Sequence, residues 1–210
     1  MYCYCLDNPV NSYDPAGNAC VSVINSDFLG PPVTRLNPEP TPEEQTYGVI
    51  SGQALLPYAD ERIGLGTYGD NGCPYIAAYN ALQLAGNGKP LSVVTNEIYY
   101  DYGSVLFGLW GVAPATLAAY LRDQGIVSVE SANLNTLVEG VTEGSIITFT
   151  AWNRANNPFG GWHAMTALYS NGKYWVFNRY DETLEALDYH SLSSAIGRGE
   201  LLYGVRIDPQ

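Results

Sequence analysis

Cys73 stands where a turn-forming segment meets a run of helix-favouring residues. The segment before it, residues 69–72, consists of two glycines, an aspartate and an asparagine, and such residues favour turns. Pro74 follows, and proline suits the first position of a helix. Unpaired backbone N–H groups and the positive end of the helix dipole favour a thiolate at a helix N-terminus. Because the thiolate is the reactive form, Cys73 is the predicted nucleophile.

A cysteine nucleophile requires a base, and the sequence contains two histidines, His163 and His190. His163 lies at the start of a β-rich run that an Asn171-Gly172 pair separates from a second such run. This arrangement is typical of a β-hairpin with a two-residue type I′ turn. His190 precedes a predicted short helix, so we interpret it as a surface or capping residue. His163 is therefore the predicted base.

The hairpin also predicts a partner for His163. With Asn171 and Gly172 as the loop, Met165 faces Asn178 and His163 faces Tyr180. Asn178 is then the diagonal neighbour of His163 on the same face, about 7–8 Å away between backbones. We expect the Asn178 side-chain amide to accept a hydrogen bond from one ring nitrogen, so that the other nitrogen faces Cys73.

The order of these residues resembles that of the papain-like cysteine peptidase superfamily. In that group a cysteine opens a helix, a histidine begins a sheet strand and an asparagine follows on the next strand. The short interval between Cys73 and His163 is similar to that of the compact double-glycine leader peptidases. The resemblance covers about residues 60–207. It implies a papain-like fold with Cys73, His163 and Asn178 as the catalytic set.

The oxyanion site departs from the papain-like pattern. These enzymes usually carry a glutamine a few residues upstream of the cysteine, whose amide stabilises the oxyanion. Thr67 occupies the corresponding position here, and Asn71 is the nearest amide. Asn71 is the candidate oxyanion residue, with a turn or helix N-cap role as the alternative. Trp152 and Trp162 are candidates for the substrate cleft, and aromatic core packing is their alternative role.

A second resemblance lies at the N-terminus. The run Asn8-Pro9-Val10-Asn11 followed by Asp14-Pro15-Ala16-Gly17 is similar to the end of the rearrangement-hotspot (Rhs) or YD-repeat core. In that family the domain after the core is commonly a toxin or effector. The resemblance implies secretion or delivery into a target cell as part of a larger bacterial protein, and a cognate immunity protein as a partner. A turn-rich leader is the alternative interpretation.

The sequence divides into three parts on these grounds. Residues 1–18 are interpreted as a remnant of the Rhs-type core and residues 19–60 as a proline-rich linker. Residues 61–210 are the predicted catalytic domain. No basic-then-apolar signal peptide begins the sequence.

The predicted fold class is α+β, with N-terminal helices packed on a largely antiparallel sheet. Periodicity, capping residues and β-rich runs predict these elements. The helices are expected at 73–85, 92–102, 114–124, 134–139 and 191–196. The strands are expected at 126–130, 145–152, the two arms of the hairpin and 201–207.

Composition excludes several classes of partner. The net charge is −12, with 9 basic residues against 21 acidic ones, and phosphate binding requires clustered cations. We therefore expect no nucleic-acid partner. No apolar run is long enough for a transmembrane helix. The other cysteines, Cys3, Cys5 and Cys20, form only a weak zinc signal, so neither a metal nor another cofactor is predicted.

These observations together predict a cysteine-dependent acyl-transfer enzyme that acts on a protein or peptide. Peptide hydrolysis is the default reaction. A glutamine deamidase or a transglutaminase uses the same thioester chemistry and remains an alternative. A non-catalytic binding domain that has retained the fold is a further alternative, suggested by the missing upstream glutamine.

Overall fold

The computed structural model describes most of the chain from residue 49 onward, together with three short strands before it. The described residues are 12–13, 21–24, 33–36, 49–109, 111–152, 161–179 and 185–209. The three short strands are β1 (Ser12–Tyr13), β2 (Val21–Ile24) and β3 (Val33–Leu36), and they form one antiparallel sheet. The rest of the Rhs-like motif lies outside the described residues.

Helices dominate the first half of the main domain. A 3₁₀ turn (Gln53–Leu55) and a small hairpin of β4 (Arg62–Ile63) and β5 (Gly66–Thr67) come first. The helices that follow are α1 (Tyr68–Asn71), α2 (Cys73–Leu84), α3 (Leu91–Glu97) and α4 (Pro114–Asp123). A π-helical turn (Ile98–Tyr102) extends α3, and a 3₁₀ turn (Val105–Gly108) precedes α4.

The second half of the domain forms one antiparallel sheet. Its strands are β6 (Val129–Ser131), β7 (Ile146–Trp152), β8 (Trp162–Ser170), β9 (Lys173–Phe177), β10 (Leu187–Tyr189) and β11 (Glu200–Ile207). They lie in the order β10-β9-β8-β7-β11-β6, and every neighbouring pair is antiparallel. Two short helices, α5 (Leu134–Val138) and α6 (Leu192–Ile196), are inserted between strands. The α+β prediction is confirmed.

The predicted hairpin register is also confirmed. The ladder between β8 and β9 starts at Ser170 opposite Lys173 and continues to Thr166 opposite Phe177. Asn171 and Gly172 have φ angles of 54° and 75°, as both loop residues of a type I′ turn require.

The sheet carries a packed core on each face. Ile146 and Ala164 belong to the core on the side of α2, whereas their neighbours Ile147 and Met165 belong to the core on the side of α6. This is the alternation of side chains that a strand imposes.

The packed domain includes residues that the sequence assigned to the linker. Val49 and Ile50 are completely buried, and Tyr58 is nearly so. Asn80 of α2 pairs with Ile50 as a neighbouring strand would: it accepts from the Ile50 N–H at 2.7 Å and donates to the Ile50 carbonyl at 2.8 Å. The boundary predicted at residue 61 therefore falls inside the fold, because the segment after residue 48 is apolar enough to join the core.

None of the helices in the described ranges combines the length and the apolar character needed to cross a membrane.

Candidate active site

Cys73 is the first residue of α2, as predicted, and only 6% of its surface is exposed. Its sulfur accepts hydrogen bonds from its own backbone amide and from that of Ala164. These donors favour the thiolate, but loss of solvation by burial is the larger effect and raises the pKa of the thiol to about 11. The resting sulfur is therefore a protonated thiol near pH 7.

The sulfur lies at an open edge of β8. The ladder with β9 stops at Thr166, while on the other side Ala164 is paired with Thr150 of β7. Because strand N–H groups point in the plane of the sheet, a sulfur bonded to Ala164 occupies the position that a β9 carbonyl would otherwise take. Thr166 fixes this arrangement, since its hydroxyl donates to the Ala77 carbonyl of α2 at 2.8 Å.

His163 immediately precedes Ala164, and its ring is held by the Asn178 backbone. Its Nε2 donates to the Asn178 carbonyl oxygen at 2.5 Å. A carbonyl only accepts, so the neutral ring carries its proton on Nε2 and its lone pair on Nδ1. Burial lowers the pKa of His163 to about 4, against a smaller upward effect of the Asn178 carbonyl. The imidazole is neutral near pH 7, as a general base must be.

The prediction that the Asn178 side chain contacts His163 is wrong, because the backbone carbonyl of Asn178 makes this contact. Asn178 has a φ of 55°, so the strand ends at Phe177 and the backbone turns in the left-handed conformation that asparagine tolerates. This turn directs the carbonyl, not the side chain, towards His163. The side-chain amide bonds instead to Gln53, accepting from its N–H at 3.0 Å and donating to its Oε1 at 2.8 Å.

Asn71 ends α1 next to Cys73, and its side chain joins two segments of backbone. Its Oδ1 accepts from the Thr67 N–H at 3.3 Å, and its Nδ2 donates to the Leu109 carbonyl at 2.6 Å. It is not the N-cap of α2, because Gly72 occupies that position and no side chain caps the helix there. A carboxamide nitrogen has two hydrogens, and the Leu109 bond uses one of them.

Cys73 opens onto a cleft of about 170 Å³. Its lining includes both predicted tryptophans, and their rings meet edge to face with centroids 6.4 Å apart. The complete lining is Asp70, Asn71, Cys73, Leu109, Gly111, Trp152, Gly161 and Trp162. The cleft is mainly apolar, with one exposed carboxylate from Asp70.

His190 lies apart from these residues, exposed between β10 and α6. Within the described part of the chain, no three histidine, cysteine, aspartate or glutamate side chains are grouped to hold a metal ion. Cys3, Cys5 and Cys20 lie outside the described residues.

Two residues near the site were not predicted from the sequence. Ser51 and Gln53 both bind Asn178, the former by accepting from its N–H at 3.1 Å. They lie far from Asn178 in sequence and within a segment assigned to the linker, and no motif marks them.

The sequence matches no protein-family model and no curated protein. A similar solved structure is the peptidase domain of Streptococcus ComA, a bifunctional ABC transporter involved in a quorum-sensing pathway. The TM-score is 0.45 at 10% sequence identity, and the match covers 67% of this chain and 93% of that one.

Proposed function

We propose that this chain is a cysteine-dependent acyl-transfer enzyme of the papain-like type, and that it hydrolyses a peptide bond. Cys73 is the nucleophile, His163 is the general base, and Asn178 orients His163. One observation carries the proposal. The Cys73 sulfur accepts a hydrogen bond from the backbone amide of Ala164, and the Asn178 carbonyl accepts one from the ring of His163, so both contacts fall on adjacent residues of β8.

The reaction starts from two neutral groups. As the Cys73 sulfur bonds to the substrate carbonyl carbon, its proton passes to Nδ1 of His163. The resulting imidazolium keeps its Nε2–H bond to the Asn178 carbonyl, which stabilises the positive charge. His163 then gives the proton to the departing amine, and a thioester remains on Cys73. Water, deprotonated by His163, hydrolyses this thioester and releases the acid.

The oxyanion of the tetrahedral intermediate requires hydrogen-bond donors. We assign this role to the second Nδ2 hydrogen of Asn71 and to the backbone amides at the N-terminus of α2. Trp152 and Trp162 provide apolar walls for the substrate residues next to the scissile bond.

An epoxysuccinyl thiol probe tests the proposal. Mass-spectrometric mapping should find the probe on Cys73 and not on Cys3, Cys5 or Cys20, which serve as internal controls. His163→Ala should abolish this selective labelling. Labelling of all four cysteines at similar rates would contradict the proposal. Incubation with a peptide library then separates the reactions, because cleavage shortens peptides whereas deamidation of glutamine releases ammonia and keeps their length.

We further propose that this enzyme is a bacterial effector delivered as part of a larger Rhs-type protein and neutralised by an immunity protein. The N-terminal Asn-Pro-Val-Asn and Asp-Pro-Ala-Gly motifs support this context. Induced expression in a bacterial cytoplasm should arrest growth, and Cys73→Ala should relieve the arrest at equal protein level. Equal toxicity of the two proteins would contradict the effector role.

A further inference from the structure

Gln53 binds Asn178 through both its backbone and its side chain. Its N–H donates to Asn178 Oδ1, and its Oε1 accepts from Asn178 Nδ2. Asn178 is 1% exposed, so both polar atoms of its amide are satisfied by one partner in a nearly water-free position. A buried amide paired in this way has a single low-energy orientation.

The same glutamine also reaches the nucleophile side of the site. Its Nε2 donates to the Gly69 carbonyl at 2.8 Å. Gly69 belongs to α1, the short helix that leads directly into Cys73. One side chain therefore joins the residue that holds His163 to the helix that precedes Cys73.

The conformation of Asn178 explains why such an anchor is needed. A left-handed φ is less favourable than a right-handed one for any residue with a Cβ, and here it turns the carbonyl towards His163 Nε2. The bonds to Gln53, with the Ser51 hydroxyl on the Asn178 N–H, oppose relaxation of this turn. If the turn relaxed, Nε2 would lose its acceptor and the ring would lose its fixed orientation.

We propose that Gln53 is a positioning residue of this active site, which sets the His163 tautomer through Asn178 and aligns it with Cys73 through Gly69. The inference rests on the proposed function for its catalytic consequence. Its structural part, control of the His163 ring, is measurable without any activity.

The first measurement is an NMR spectrum of protein labelled with ¹⁵N-histidine. In the wild type the hydrogen-bonded Nε2–H of His163 should give a low-field proton resonance, with ¹⁵N shifts that place the proton on Nε2. Gln53→Ala should broaden or abolish this resonance. The His190 signals serve as an internal reference and should not change.

The second measurement is the rate at which the epoxide probe labels Cys73. We expect Gln53→Ala to slow labelling by about 10–100-fold, by analogy with the loss seen when the outer hydrogen-bond partner of a metal-binding histidine is removed. Gln83→Ala is the matched control, because Gln83 is a similarly half-buried glutamine whose Nε2 donates to a backbone carbonyl, that of Lys89. This control should retain both the His163 resonance and the labelling rate.

Gln53→Glu separates the two contacts and provides a second variant if Gln53→Ala does not fold. The carboxylate can still accept from Asn178 Nδ2 but cannot donate to Gly69. It should keep the His163 resonance and label Cys73 more slowly than the wild type does. An unchanged resonance and an unchanged labelling rate in both folded Gln53 variants would overturn the inference. Absence of Cys73 labelling in the wild type would instead refute the proposed function, while the NMR result would still decide the role of Gln53.

Discussion

Burial of His163 should make the protein specifically sensitive to mild acid. The folded protein holds the pKa of His163 at about 4, against 6.5 for an ordinary histidine. Below pH 6.5 the unfolded chain binds a proton at this residue and the folded protein does not, so acid favours unfolding. At about 1.4 kcal/mol per tenfold change in proton affinity, the stability lost is about 2 kcal/mol at pH 5 and about 3 kcal/mol at pH 4. Below pH 4 this contribution stops growing.

Replacement of the histidine isolates this contribution from that of the many carboxylates. Urea unfolding of the wild type and of His163→Gln should be measured from pH 7 to pH 4. The wild type should lose about 3 kcal/mol more than the variant over this range, whatever the difference between them at pH 7. His190→Gln, which removes the exposed histidine, should follow the wild type. Equal losses in the wild type and in His163→Gln would refute the assignment of a neutral, partly buried His163.

Three further predictions concern the Cys73 thiol, the Asn178 backbone and the contact between α2 and β8. The pKa of about 11 for Cys73 predicts that its alkylation by iodoacetamide accelerates about tenfold per pH unit above pH 7, and a rate that levels off near pH 8 would contradict it. Asn178→Gly keeps the left-handed turn and the carbonyl. The epoxide probe should therefore label Cys73 faster in Asn178→Gly than in Asn178→Ala, and faster in either of them than in His163→Ala. The reverse order of the two Asn178 variants would show that the backbone carbonyl is not the orienting group. Thr166→Val removes the bond to Ala77 and should lower the free energy of unfolding by about 1–2 kcal/mol in urea titrations, whereas unchanged stability would show that this bond does not fix the helix on the sheet.

Local sequence signals predicted the parts of the site that local structure builds. Pro74 and the alanine-rich run after it were sufficient to start α2 at Cys73, and the Asn-Gly pair was sufficient to set the β8–β9 register. Both depend on backbone preferences within a few residues.

The orientation of Asn178 could not be predicted in the same way. Strand alternation places its side chain beside His163, but the contacts with Ser51 and Gln53 favour a left-handed turn instead. These partners lie more than a hundred residues away in sequence, in a segment whose backbone bonds to Asn80 of α2. Contacts of this kind depend on tertiary structure, which no sequence window contains.

The neutral thiol of Cys73 has a consequence for how the protein withstands oxidants. Peroxide and disulfides react with the thiolate form of cysteine, and a pKa of about 11 leaves only about one molecule in ten thousand ionised at pH 7. The cysteine should therefore resist sulfenylation and mixed-disulfide formation as long as its thiol stays protonated. A thiol with this property keeps its reduced form in oxidising surroundings without a reductive repair step.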